Sequence, residues 1–198
     1  MQPDRHARRE YIAAFREIVA RIAGSLTDLP SRALPIKMYV AGGAALHMYT
    51  GARISRDVDA SFSRRIVLPE NLEVAYRDAD GAAHLLYFDR QYNDSLALMH
   101  EDAYDDSVQL SLSGHDAKFL EVRLLSALDL AVSKIARFSS QDRDDIAILA
   151  RRKLITSKAL RQRAGQALTA YVGTLTSGQG SIELACRIVT DAGSRSSR

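Results

Sequence analysis

Two glycines and two aspartates carry the chemistry this sequence can be expected to perform. Val40-Ala41-Gly42-Gly43-Ala44-Ala45-Leu46 reads as the end of an apolar strand, a glycine pair and the start of a helix. A bare backbone at such a turn presents N–H groups and a helix N-terminus, both suited to a phosphate. Arg53-Ile54-Ser55-Arg56-Asp57-Val58-Asp59 follows, with 13 residues between Gly43 and Asp57. Along a strand, positions i and i+2 share a face, so Asp57 and Asp59 are expected side by side with Val58 turned into the core. Carboxylates so placed repel each other unless a cation stands between them. Mg2+ fits, since it takes one or two carboxylates and completes its shell with phosphate oxygens and water. Either half alone is ordinary: a glycine pair is common punctuation, and D-x-D can be a solvated face, although strands disfavour Asp. Their order, with Arg53 and Ser55 just ahead of the acids, points to phosphoryl chemistry.

The elements that must position these residues follow from periodicity. Tyr11, Ile12, Phe15, Ile18, Val19 and Ile22 recur at helical spacing and predict a helix over 6–24. Leu29-Pro30 and Leu34-Pro35 break it. Ile36–Val40 is a short strand, 44–49 a helix, and 54–62 a second strand. Two runs, 72–76 and 83–88, flank Asp78-Ala79-Asp80-Gly81 and predict a hairpin. Residues 108–113 and 119–125 make another strand pair around Gly114-His115-Asp116. Ser126, with Asp129 three residues on, caps a helix to about Phe138. Helices over 142–153, 157–172 and 182–191 complete the chain. The fold class is α+β: a mixed β-sheet flanked by helices, with a helical C-terminal half. Residues 1–125 form the core with its N-terminal helix, 126–191 the helical region, and 192–198 a frayed Ser/Arg-rich tail.

Composition sets the bounds. The chain has 198 residues, 46% hydrophobic and 26% charged, ordinary for a globular protein able to bury a core without staples. The one cysteine, Cys186, excludes an internal disulfide and gives no zinc-site spacing. No apolar run approaches a membrane span and the N-terminus lacks a signal-peptide core, so a cytoplasmic protein without membrane contact is expected. The net charge of +3 is unevenly spread: residues 1–122 carry 14 basic and 18 acidic side chains, and residues 123–198 carry 13 and 6. An acidic half beside a basic one suggests a metal or phosphate site near a surface for a polyanion, though helical proteins also solvate a face with Arg.

The glycine pair, the helix and the R-x-S-x-D-V-D segment resemble the DNA polymerase β-like nucleotidyltransferase superfamily. More narrowly, Leu128-Asp129-Leu130-Ala131-Val132-Ser133-Lys134-Ile135-Ala136-Arg137 followed by Asp142-Arg143-Asp144-Asp145-Ile146 resembles the AbiEii/MenT-type members, many of them toxins of toxin–antitoxin operons. The resemblance covers about Met38 to Leu149. It implies that Asp57 and Asp59 hold Mg2+, with Mn2+ as its substitute, against an NTP co-substrate. It implies further that Gly42 and Gly43 line the triphosphate loop, that Ser55 contacts phosphate, and that Arg53 stands beside it. Lys134 would neutralise triphosphate charge, and Asp142, with Asp145 close behind, would be the aspartate of the second helix.

A third carboxylate also belongs to the superfamily pattern. Glu121, in Phe119-Leu120-Glu121-Val122-Arg123, is the first candidate, although Arg123 shares its face and could pair with it; Asp89 is the reserve. Lysines at the edge of an apolar helix usually snorkel to water, which is the ordinary reading of Lys134. The run from Glu101 to Asp106 reads as a solvated loop, and His47 as a boundary residue rather than a base.

The expected reaction is in-line attack of an acceptor hydroxyl on the α-phosphate of an NTP, with pyrophosphate leaving, and Glu121 or Asp142 taking the proton. The resemblance points to a tRNA 3′ end as acceptor and to a cognate antitoxin as partner. Arg151, Arg152, Lys153, Lys158, Arg161 and Arg163 could hold an RNA backbone. The alternatives are the same chemistry on a protein or on a small molecule such as an aminoglycoside, and a non-catalytic binding or regulatory protein of the same fold.

Overall fold

The computed structural model describes residues 1–94, 97–171 and 178–195. The chain divides into two units: Met1–Tyr92 with Ser107–Leu124, and Asn93–Asp106 with Leu125–Arg195 of the described chain. The fold is α+β, and its strands lie in the first unit.

In that unit, helix α1 (Arg9–Gly24) turns Tyr11, Ala14, Phe15, Ile18, Val19 and Ile22 inward, the stripe expected from periodicity. It starts at Arg9 rather than residue 6, because the Asp4 carboxylate takes the His6 N–H (2.8 Å) and holds the chain in a turn. Strand β1 (Ile36–Val40) leads into α2 (Gly42–Thr50). Gly43 to Met48 and Thr50 are all buried, so α2 is an internal helix and its polar members need internal partners.

The expected strand over 54–62 is two short strands in two different sheets. β2 (Asp57–Val58) pairs in parallel with β5 (Ala83–Phe88), and β3 (Ala60–Phe62) pairs antiparallel with β1. The switch falls at Asp59. The Val58 carbonyl accepts from Asp89 N–H (3.1 Å), whereas the Asp59 carbonyl accepts from Ala41 N–H (2.9 Å). One sheet therefore has the order β3-β1-β7-β6 and the other β2-β5-β4, where β4 is Glu73–Arg77, β6 is Val108–Gln109 and β7 is Leu120–Leu124. The β4–β5 hairpin matches expectation. β6 is shorter than the anticipated 108–113 strand because the Ser111 N–H goes to the Met1 carbonyl (2.8 Å) and leaves the ladder.

In the second unit, α3 (Ala127–Ser133) is capped by Ser126, whose Oγ accepts from Asp129 N–H. It stops at Lys134, short of the expected Phe138. Helix α4 (Ser140–Arg151) begins with a capping box in which Ser139 and Asp142 bond reciprocally. Helix α5 (Ser157–Ala170) and helix α6 (Gly178–Arg195) follow. Val172, at the expected end of α5, and 196–198 of the expected tail lie outside the described residues. Helix α6 carries through 192–195, the part of that tail expected to fray; Ala185, Cys186, Val189 and Ala192 are buried at helical spacing. The segment 93–106, read from sequence as part of the core domain and as a solvated loop at its acidic end, groups with these helices. Ala103 is buried and the Asp106 carboxylate bonds Arg163 (2.7 Å).

His47 ties the start of the first unit together. Its Nε2 accepts from Arg8 N–H (3.0 Å) at the head of α1, and its Nδ1 lies 2.6 Å from the Ala52 carbonyl. Those partners need a neutral ring with the proton on Nδ1. Burial holds the pKa of this fully buried ring below 6.5. Below pH 6.5 the unfolded chain gains a proton that the folded chain resists, so the stability is complete above that pH and declines beneath it. H47A is expected to lose about 2–4 kcal/mol at pH 7.5. Its melting temperature should fall less steeply between pH 7 and 5.5 than that of the native chain, in paired thermal melts.

Candidate active site

Gly42 opens α2 with φ of +57°, in the left-handed region that glycine tolerates. A Cβ there would strike the Asp59 carboxylate, with Cγ only 2.8 Å away. At Gly43 a Cβ would strike the Ser55 hydroxyl, with Ser55 Cβ at 2.7 Å and Arg53 Nη1 at 3.2 Å. The missing side chains are thus filled by the R-x-S-x-D-V-D segment: Asp59 lies on Gly42, and Ser55 and Arg53 lie on Gly43. Ser55 Oγ also donates to Asp57 Oδ1, joining the first aspartate to the same turn. Ser55 is buried and both aspartates are half-buried.

Behind α2 lies one residue expected only as core. Tyr11 is fully buried, and its hydroxyl has no hydrogen-bond partner among the described residues. Burial, then the charges of Tyr76, Asp57 and Asp59, push its pKa well above the usual tyrosine range. Its helical spacing explains the buried ring, which meets the His47 ring of α2 edge-on at 4.6 Å.

The fit to a metal ion rests on these residues. Among the described residues no group of three or more His, Cys, Asp or Glu side chains could hold one. Two carboxylates beside a bare-backbone turn suit an ion bound together with a phosphate, as Mg2+ usually is, rather than an ion caged wholly by protein.

Glu121 is not brought to the pair. In the first sheet Glu121 is level with Lys37, which the Ser63 N–H marks as level with Ser63, whereas Asp59 is level with Ala41. Four residues along the strand amount to roughly 13 Å. Arg123 bonds Glu121 directly and is itself held by Ser107 Oγ (2.7 Å), so the pairing with Arg123 accounts for this charged strand residue. The reserve, Asp89, uses its carboxylate to accept from Gln91 N–H (2.8 Å).

The second unit places Lys134, Asp142 and Asp145 together. Lys134 Nζ is 2.7 Å from Asp145 Oδ2 and 3.7 Å from Asp142 Oδ1, with all three side chains buried. Lys134 therefore does not snorkel to water. Arg137 grips Asp142 with two hydrogen bonds of 2.8 Å, and Ser139 adds its hydroxyl (2.7 Å) and N–H (3.0 Å). Burial pushes the Asp142 carboxyl up, but the Arg137 and Ser139 hydrogen bonds and the Lys134 charge outweigh it and hold the pKa at about 2. Of the basic residues nominated for a polyanion, Arg163 is bound to Asp129 and Asp106, and Arg161 to Glu183. Arg151, Arg152, Lys153 and Lys158 are exposed.

An α+β fold that folds a paired-carboxylate strand onto a glycine pair is the arrangement of a nucleotidyltransferase. The chain belongs to the family described as "Nucleotidyltransferase of unknown function (DUF6036)", whose model matches residues 18–177. That span includes the glycine pair, both aspartates and the Lys134 cluster. Comparison with curated proteins and with solved structures gave no match. No helix among the described residues is long and apolar enough to cross a membrane.

G42A is expected to displace Asp59 and reduce binding of a fluorescent Mg-ATP analogue at least tenfold, measured by anisotropy, with the circular dichroism spectrum kept. The depressed Asp142 carboxyl stabilises the fold fully above pH 3.8, and that contribution, about 2 kcal/mol, is lost as pH falls towards 2. In acid titrations followed by circular dichroism, D142N should melt lower at pH 7 and show a shallower loss of stability below pH 4.

Proposed function

We propose that the protein moves an NMP from an NTP to an acceptor hydroxyl, with a tRNA 3′ end as acceptor, and that it acts in the cytoplasm as the toxin of a toxin–antitoxin pair. The observation that carries the transfer chemistry is the seating of Asp59 on Gly42 and of Ser55 on Gly43, with Ser55 bonded to Asp57. The tRNA acceptor, the antitoxin partner and the AbiEii/MenT likeness rest on the resemblance of the glycine, D-x-D and lysine–aspartate segments. The excess of basic side chains after residue 123 supports a polyanionic acceptor.

In this reading the N–H groups at the start of α2 receive the triphosphate, and Arg53, beside Gly43, adds positive charge. Asp57 and Asp59 would hold Mg2+, or Mn2+ in its place, which when bound neutralises phosphate charge and aligns the attacking and leaving oxygens. Ser55 fixes the orientation of Asp57 through its hydroxyl. The acceptor oxygen forms a bond to the α-phosphorus, the bond to pyrophosphate breaks, and the hydroxyl proton passes to a carboxylate, a place that falls to Asp142 once Glu121 is set aside. Glu121, tied to Arg123, takes no part. Lys134, Asp142 and Asp145 keep the role in the reaction that the resemblance gives them, in addition to the ion pairs they make with one another.

Incubation with each α-labelled NTP and a mixture of total RNA and protein, followed by gel separation, tests this. Label is expected in a tRNA-sized band, and D57N and D59N should each reduce it more than a thousandfold while leaving the melting temperature within a few degrees. Label in protein or in a small molecule would replace the tRNA acceptor. Normal transfer by either variant would remove the proposed site.

A further inference from the structure

The second sheet has one closed face and one open face. Val58, Val74, Leu86 and Phe88 are buried on the closed side, and α1 packs against β4 and β5. The alternate positions, Glu73, Ala75 and Arg77 on β4 and Ala83, Leu85 and Tyr87 on β5, are exposed. Two of these are large and apolar: Leu85 is 44% exposed and Tyr87 40%. Asp57 is the register partner of Tyr87 in the parallel β2–β5 pair. Register partners project to the same side, so the Tyr87 ring stands on the face that carries Asp57, one strand spacing of about 4.8 Å away. Tyr87 N–H also donates to the Arg56 carbonyl (2.9 Å), which fixes the register of the pair at Asp57.

We propose that Tyr87, with Leu85 below it, is the platform on which the unpaired terminal base of a single-stranded RNA acceptor stacks. This rests on the transferase reading and specifies how its acceptor is held. An exposed aromatic face next to the strand position of Asp57 matches the base and the reactive hydroxyl of one terminal nucleotide. Sheets that present exposed aromatic side chains hold single-stranded RNA in the same way, each base gaining about 1–3 kcal/mol by stacking. The acceptor rather than the NTP is assigned here because the glycine turn that suits the triphosphate contacts Asp59, Ser55 and Arg53, whereas Tyr87 lies on the strand next to Asp57 within the second sheet.

The test is anisotropy of a fluorescein-labelled single-stranded oligoribonucleotide of about eight residues, with and without its 3′-terminal base. A fluorescent Mg-ATP analogue is measured in parallel. Y87A is expected to weaken binding of the complete oligonucleotide about tenfold. Y87F should stay within about twofold of the native chain, and both variants should bind Mg-ATP normally. Removing the terminal base should cost the native chain the same factor and Y87A nothing further, the signature of two groups acting through one contact. Equal losses for the complete and the abasic oligonucleotide, an unchanged affinity in Y87A, or a loss confined to Mg-ATP would overturn the platform. A native chain that binds Mg-ATP but no RNA overturns it too and leaves nucleotidyl transfer standing. Failure to bind Mg-ATP would instead count against the transferase reading.

Discussion

The absence of two side chains is the constraint on which the first unit depends. A carboxylate and a hydroxyl occupy the space where Gly42 and Gly43 would carry Cβ atoms, so the D-x-D segment can reach the start of α2 only over bare backbone. The positive φ of Gly42 adds a second requirement that few other residues meet. Such close approach places acidic side chains beside N–H groups that favour anions, an arrangement whose repulsion a shared cation relieves. The surroundings hold this geometry in place. The apolar helix α2 is buried on all sides, and His47 fastens its end to the head of α1 and to the loop at Ala52. Gly51 there has φ of +64° and lies against the backbone of His6, so the N-terminal strap and the site loop share one packing contact.

The second unit is organised by charge removed from water. Lys134 and Asp145 are buried together, and Asp142 is satisfied by three residues, Arg137, Ser139 and Lys134. Burying such groups costs several kcal/mol per ion before pairing offsets it, so a network of this kind is weak support for stability as such. Its members are nevertheless interdependent: any one removed leaves a buried charge uncompensated. Arg163 plays a comparable part where it joins Asp129 on α3 to Asp106 in the 93–106 segment. That bond explains why an acidic stretch that looks solvated in sequence groups with the helices.

The sequence determined the elements and their order. The α1 stripe, the β1 strand, the β4–β5 hairpin and the Ser126 helix start are local patterns of apolar period and capping residues, and each lies within a few positions of its expected place. The glycine pair and the aspartate pair were legible for the same reason, since their residue types are unusual at a strand end and within a strand. Tertiary structure alone decided how they meet. The strand expected over 54–62 divides at Asp59 because the carbonyls of Val58 and Asp59 find partners in different sheets, and no local propensity encodes a partner thirty residues away. Alternation along β7 showed that Glu121 and Arg123 share a face; only the register with β1 showed that Glu121 lies four residues down the sheet from the acids. Alternation along β5 likewise could not say which of its faces α1 would cover and which would stay open beside Asp57. Side-chain period is a property of a single segment, whereas register, sheet membership and the face left to solvent are set by contacts between distant segments.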